Sequence, residues 1–144
     1  MSKVVAISGG FGCLGIAVGE AFAANGWRVA LIDQASVPRP LADTARSEKL
    51  LIGAVDLTDL HMANCAMQQV QQHFQGLDAL INVAGGFRWE TIEGGDLATW
   101  DLMYQMNVRT AATASMAALT HLRKAEAGRI INIAAGAASK ASLG

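Results

Sequence analysis

Apolar residues in this chain gather in five short runs, and the segments between most of them carry apolar positions at three- and four-residue spacing. The runs are KVVAIS from Lys3, Arg28–Ile32 (RVALI), Lys49–Val55 (KLLIGAV), Ala79–Val83 (ALINV) and Arg129–Ala134 (RIINIA). Each is almost continuously apolar, the pattern of a strand covered on both faces. Leu14–Ala24 is rich in small residues and ends at Asn25-Gly26, a helix C-cap signal. Leu60, Ala63, Met67, Val70 and Phe74 form one helical stripe behind Thr58 or Asp59 as N-cap. Helical material is expected from about Leu97 to Arg123, broken near Met106-Asn107, while the Pro-containing Ser36–Arg46 has room only for a short helix. Strands alternating with helices predict an α/β fold, a doubly wound parallel sheet of the NAD-binding Rossmann kind. No repeat, low-complexity tract or linker interrupts residues 1–144, so one domain is expected.

The first run leads directly into glycines. Gly10, Gly12 and Gly15 fit G-x-G-x-x-G, and Gly9, Gly12 and Gly15 fit G-x-x-G-x-x-G. In either register a strand, a tight turn and a helix start follow one another, which brings backbone N–H groups and a positive dipole end up to a pyrophosphate. Asp33 ends the second run, close to the roughly 20-residue distance expected of the acid that accepts hydrogen bonds from the adenosine ribose. A carboxylate there repels a 2′-phosphate, and Gln34, Ala35 and Ser36 offer no cation to neutralise one. NAD is therefore expected over NADP.

Composition narrows the field further. The chain is 52% hydrophobic and 16% charged with a formal net charge of −1. That balance disfavours nucleic acid or an anionic membrane as partner. No apolar run approaches the ~18 residues of a membrane span, and a strand starting at residue 3 leaves no space for a leader. Two distant cysteines, Cys13 and Cys65, have no mutual metal-ligand spacing, and a reduced, cytoplasmic protein without a metal is expected. Cys13 reads either as a reactive thiol at a helix start or as a small filler. His61, His73 and His121 read as residues of solvated helix faces. Phe87-Arg88-Trp89 lies where ligands enter open α/β sheets, either lining a substrate mouth or packing the loop.

Taken together, these landmarks resemble the short-chain dehydrogenase/reductase family along all 144 residues. Ser8 to Gly15 (SGGFGCLG) is similar to the family's T-G-x-x-x-G-x-G, with Gly9, Gly10, Phe11, Gly12, Cys13, Leu14 and Gly15 as cofactor-binding positions. Asp56 and Leu57 correspond to the adenine contact after the third strand. Asn82-Val83-Ala84-Gly85 resembles N-N-A-G and adds Asn82, Ala84 and Gly85. Asn107 matches the family's helix Asn, a catalytic position that anchors a water linked to the catalytic Lys. The resemblance implies hydride transfer between nicotinamide and a carbonyl or imine substrate, with a Tyr as acid/base beside a Lys. It also implies a homodimer or homotetramer built on the Asn107–Arg123 helix, where Ala111, Ala112, Ala114, Ala117 and Ala118 suit packing on two faces.

Two departures are informative. Ala135 stands where the family has its catalytic Ser, and the only tyrosine, Tyr104, has Val108 rather than Lys four residues on. Ser139 or Ser142 is a candidate substitute for the Ser. The Ala135 departure and the segments Val83–Phe87 and Trp100–Met103 resemble quinonoid dihydropteridine reductases, a branch that lacks the Ser. The family's Tyr-x-x-x-Lys comes just after the position of Gly144, and a fifth run left at the sheet edge would be unprotected, so the C-terminal strands of the fold are expected to be missing from this chain. The chain alone is then expected to be inactive. Two other classes fit the same glycines: a catalytically silent NAD-binding sensor or scaffold, and a sugar-nucleotide epimerase.

Overall fold

A computed structural model describes residues 2–42 and 48–136. Five strands form one sheet: β1 (Val4–Ser8), β2 (Arg28–Ile32), β3 (Lys49–Ile52), β4 (Ala79–Asn82) and β5 (Arg129–Asn132). Their order is β3-β2-β1-β4-β5 and every pairing is parallel. The main helices are α1 (Cys13–Ala24), α3 (Leu60–Phe74), α4 (Leu97–Tyr104) and α5 (Thr110–Leu122), with a one-turn α2 (Arg39–Ala42) after β2.

Alternate residues of the strands feed two cores, as the pleat requires. Val4, Ala6, Ala30, Ile32 and Leu80 pack with Ala63, Met67 and Val70 of α3 and Ala114 and Ala118 of α5. Val5, Ile7, Val29, Leu31 and Ile81 face the other way, toward Val18 and Phe22 of α1 and Trp27. Helix α1 lies close to the sheet because Gly19 lacks a Cβ, which would sit 3.0 Å from Leu31. Asn25 and Gly26, the latter at φ +79°, end it as expected. The chain runs from β1 outward to β3 and then crosses back to β4. This puts a switch point at the C-terminal ends of β1 and β4, where ligands bind in such sheets.

Several boundaries differ from the sequence expectation, each for a local reason. β3 stops at Ile52 rather than Val55, because one extra residue bulges out at Gly53-Ala54. Asp33 still donates to Ile52 O and accepts from Val55 N–H, both at 3.0 Å, while Ala54 takes φ +58°. β4 stops at Asn82 rather than Val83, since the N–H groups of Val83 and Ala84 both donate to Ser8 Oγ at 3.1 Å. β5 stops at Asn132: Ile133 N–H still reaches Asn82 O, and with β4 ending there the residues after it have no strand to pair with. Asp59, not Thr58, caps α3 through the N–H groups of His61 and Met62. Leu60, the first residue of that helix, is exposed, and Ala66 joins the buried stripe instead.

The expected break at Met106-Asn107 is a widened turn and not a gap. Gln105–Arg109 form a π-turn between α4 and α5, where Thr110 N–H donates to Gln105 O, five residues back. Side chains occupy backbone carbonyls through this stretch: Asn107 Nδ2 donates to Met103 O, Thr110 Oγ1 to Met106 O and Thr113 Oγ1 to Arg109 O.

Candidate functional site

A cavity of about 560 Å³ opens at the switch point, within the range of small-molecule sites. Of the residues singled out in the sequence, Gly9, Gly12, Cys13, Leu14, Gly15, Asp33, Asp56, Leu57, Ala84 and Gly85 line it. The turn that brings them together is set by steric exclusion. Gly9 sits at φ +64°, and a Cβ on it would lie 2.8 Å from Ala84 N. A Cβ on Gly15 would collide with Gly9 O, so the start of α1 closes directly over the turn. Gly12 differs: a Cβ there meets only Gly9 O, at 3.4 Å. Neither glycine register therefore describes the constraint fully. Folding requires Gly9, Gly10 and Gly15, since a Cβ on Gly10 would lie 2.8 Å from Leu31 Cα, and Gly12 keeps open the space in front of the helix.

That helix start has no side-chain cap. The first N–H groups of α1 belong to Cys13, Leu14 and Gly15, which line the cavity, and the first helical bond is Ile16 N–H to Gly12 O. They are the donors a helix leaves unsatisfied at its N-terminus. Asp33 is held by Phe11 N–H on Oδ2 and Ala35 N–H on Oδ1, both at 2.9 Å. A carboxylate offers about four acceptor positions, so two remain for a ligand. Asp56 is held by the N–H and hydroxyl of Thr58. No Lys or Arg is among the described residues lining the cavity.

The other singled-out residues stand behind this wall. Gly10 packs on Leu31, and Phe11 contributes its N–H to Asp33 while its ring joins the core beside α1. Asn82 is buried and donates to Ser115 Oγ and Asn132 Oδ1, cross-linking β4, β5 and α5. Asn107 Oδ1 accepts Gly86 N–H at 3.0 Å, tying the loop after β4 to the π-turn. Ala135 is exposed beyond β5, and Tyr104 is exposed on α4. Ser139 and Ser142 lie outside the described residues, as does Ala137.

Sequence reasoning did not place Leu102, Gln105, Met106 and Thr110 at the cavity, and it met Gln34, Val55 and Thr58 as neighbours of Asp33, Asp56 and Leu57 rather than as lining residues. It matched Ser8 to a motif without seeing its work: one hydroxyl receives two N–H groups and fixes Ala84 against the glycine turn. The signals available were the Thr110/Thr113 pair after Asn107 and a serine ending an otherwise apolar strand.

The profile of the family described as short chain dehydrogenase matches residues 3–144, and the chain belongs to that family. It is 31% identical over 137 residues to a 2-(S)-hydroxypropyl-CoM dehydrogenase of Xanthobacter autotrophicus, covering 91% of this chain and 52% of the relative. A 2-(R)-hydroxypropyl-CoM dehydrogenase of the same organism is 32% identical over 145 residues, 93% of this chain and 56% of the relative. A short-chain dehydrogenase/reductase of Serratia marcescens superposes with a TM-score of 0.82 at 31% identity, covering 99% of this chain and 62% of the other. The chain thus spans about half the length of the curated relatives it matches.

Proposed function

We propose that this chain is the nucleotide-binding part of an NAD(H)-dependent oxidoreductase acting on a carbonyl or imine substrate. The observation that carries the reading is an uncapped helix start and a half-used Asp33 carboxylate facing one cavity that has no cation in its described lining. The N–H groups of Cys13, Leu14 and Gly15 would hold the pyrophosphate, and Asp33 the adenosine ribose. Asp56 and Leu57 would border the adenine, and Ala84 and Gly85 would add to the wall that holds the dinucleotide. When bound, the dinucleotide supplies a hydride acceptor or donor at its nicotinamide ring. Asn107 holds Gly86 and so fixes the loop leaving β4.

Two relatives named for dehydrogenating a 2-hydroxypropyl group support a secondary alcohol and its ketone as substrate class. The chain matches the (S) and (R) enzymes almost equally, so the comparison favours neither hand. Ala135, without a hydroxyl, favours instead an imine acceptor such as a quinonoid dihydropterin, which needs no serine donor. Ala135 and the lone Tyr104 are also what favour the second reading, a silent nucleotide sensor. A cytoplasmic homodimer or homotetramer completes the proposal. Titrating NADH and NADPH separately by the change in their fluorescence tests it: tighter NADH binding supports it, and equal or tighter NADPH binding overturns it.

A further inference from the structure

The π-turn that carries Asn107 to the loop after β4 also reaches the segment between β3 and α3. Arg109, its last residue, donates from Nε to Thr58 O at 2.9 Å, across 51 positions of sequence. One helical turn further on, the buried Thr113 shares its hydroxyl proton between Leu57 O and Arg109 O. Thr58 in turn holds Asp56 Oδ1, with its N–H at 2.9 Å and its hydroxyl at 2.8 Å. Asp56, Leu57 and Thr58 line the cavity, whereas Arg109 stands outside that lining and is exposed.

We propose that Arg109 is a positioning residue for the adenosine half of a bound dinucleotide, acting through Thr58 on Asp56 and Leu57. The inference rests on the reading of the cavity as a dinucleotide site. A segment that leaves a strand end moves freely unless its backbone is tied. Here two consecutive carbonyls, Leu57 O and Thr58 O, are tied to one place on the neighbouring helical stretch. The donor to Thr58 O belongs to a charged guanidinium, which makes a stronger bond than a neutral N–H. Groups placed before the ligand arrives bind it without the cost of ordering themselves. The same π-turn holds the other loop through Asn107 and Gly86 N–H, so it sets the spacing of two cavity walls.

Two substitutions isolate the bond. Glutamine ends in an N–H donor at the chain position of the arginine Nε, while methionine puts a methyl group there; both remove the charge. AMP and nicotinamide mononucleotide are the probes, titrated by calorimetry well below the melting temperature found by circular dichroism. Arg109→Met is expected to weaken AMP by about 3- to 30-fold and to leave nicotinamide mononucleotide unchanged. Arg109→Gln should bind AMP within about twofold of the wild type, because the donor is kept. Normal AMP affinity in Arg109→Met would overturn the inference alone, provided the wild type binds NADH. Equal loss of both probes would overturn it in favour of a general loosening of the fold, and Arg109→Gln as weak as Arg109→Met would do so in favour of charge. A wild-type chain that binds neither AMP nor NADH would overturn the dinucleotide reading and this inference together.

Discussion

Asp33 shows how one side chain serves the turn and the cavity at once. Its two oxygens fix Phe11 N–H and Ala35 N–H, and the residue also lines the cavity. Asp33→Ala is expected to weaken NADH binding by roughly 10- to 100-fold, since a hydrogen bond to a charged group is worth about 1.5–3 kcal/mol. The same change should narrow the gap to NADPH, because the repelling charge has gone; parallel calorimetric titrations of both cofactors check it. The glycines separate in the same manner. Gly15→Ala forces a methyl into Gly9 O and is expected to cost about 1–3 kcal/mol of folding stability. Gly12→Ala meets only an ordinary contact and should melt near the wild type while binding dinucleotide poorly. Thermal denaturation beside NADH titration distinguishes the two, and a Gly12→Ala variant that binds normally would refute the role given to that position.

At the scale of elements, the loop from β4 into α4 is held by Glu90. Its two oxygens accept Thr99 Oγ1 at 2.6 Å and Asp96 N–H at 2.9 Å, and Asp96 in turn caps α4 through Ala98 N–H. The Thr99 hydroxyl first, then the Asp96 N–H, hold the Glu90 carboxyl below its ordinary 4.5. Because the folded form binds a proton less readily than the unfolded one, this contribution is complete above about pH 4.5 and is lost as pH falls through the lowered value. Thr99→Val should move the Glu90 titration, followed by carboxyl NMR, back toward its ordinary position. Strand and helix order was legible in the sequence because runs such as Val4–Ser8 are short and continuously apolar, whereas the stripe Ala63–Phe74 repeats at helical spacing. The Ala54 bulge and the early end of β4 were not, since both depend on partners distant in sequence: Asp33 for Val55, and Ser8 for Val83 and Ala84. For the site, the glycines and Asp33 announce themselves through spacing. The lining from Leu102 to Thr110 depends on the π-turn at Gln105–Arg109: the expected break at Met106-Asn107 marks its place, but not that the turn would widen and carry those residues to the cavity.

For the molecule as a whole, Leu97, Trp100, Tyr104 and Val108 stand exposed along α4 and the π-turn, with Met116 and Leu119 on α5. Thr113, Ala114, Ala117, Ala118 and Leu122 already bury the other side of α5. We expect the outer face to be covered by a second copy, so Trp100→Glu should shift the mass found by light scattering toward monomer; wild-type chain that is monomeric at high concentration would contradict this. Hydride transfer is expected to be absent from residues 1–144 with NADH and either a small ketone or a quinonoid dihydropterin, since no Tyr with Lys four residues later is present. Measurable turnover would overturn that expectation. The sheet order has a kinetic consequence. β1, at the centre, is synthesised before the other four strands of this sheet, yet one flank waits for β4, and the Val4 N–H bond to Asp78 closes across 74 positions. Pairings of such long separation form slowly. On the ribosome, therefore, Val4–Ser8 can complete its ladder only after β4 has emerged, and during that interval β2 pairs one edge of the strand while the other stays open.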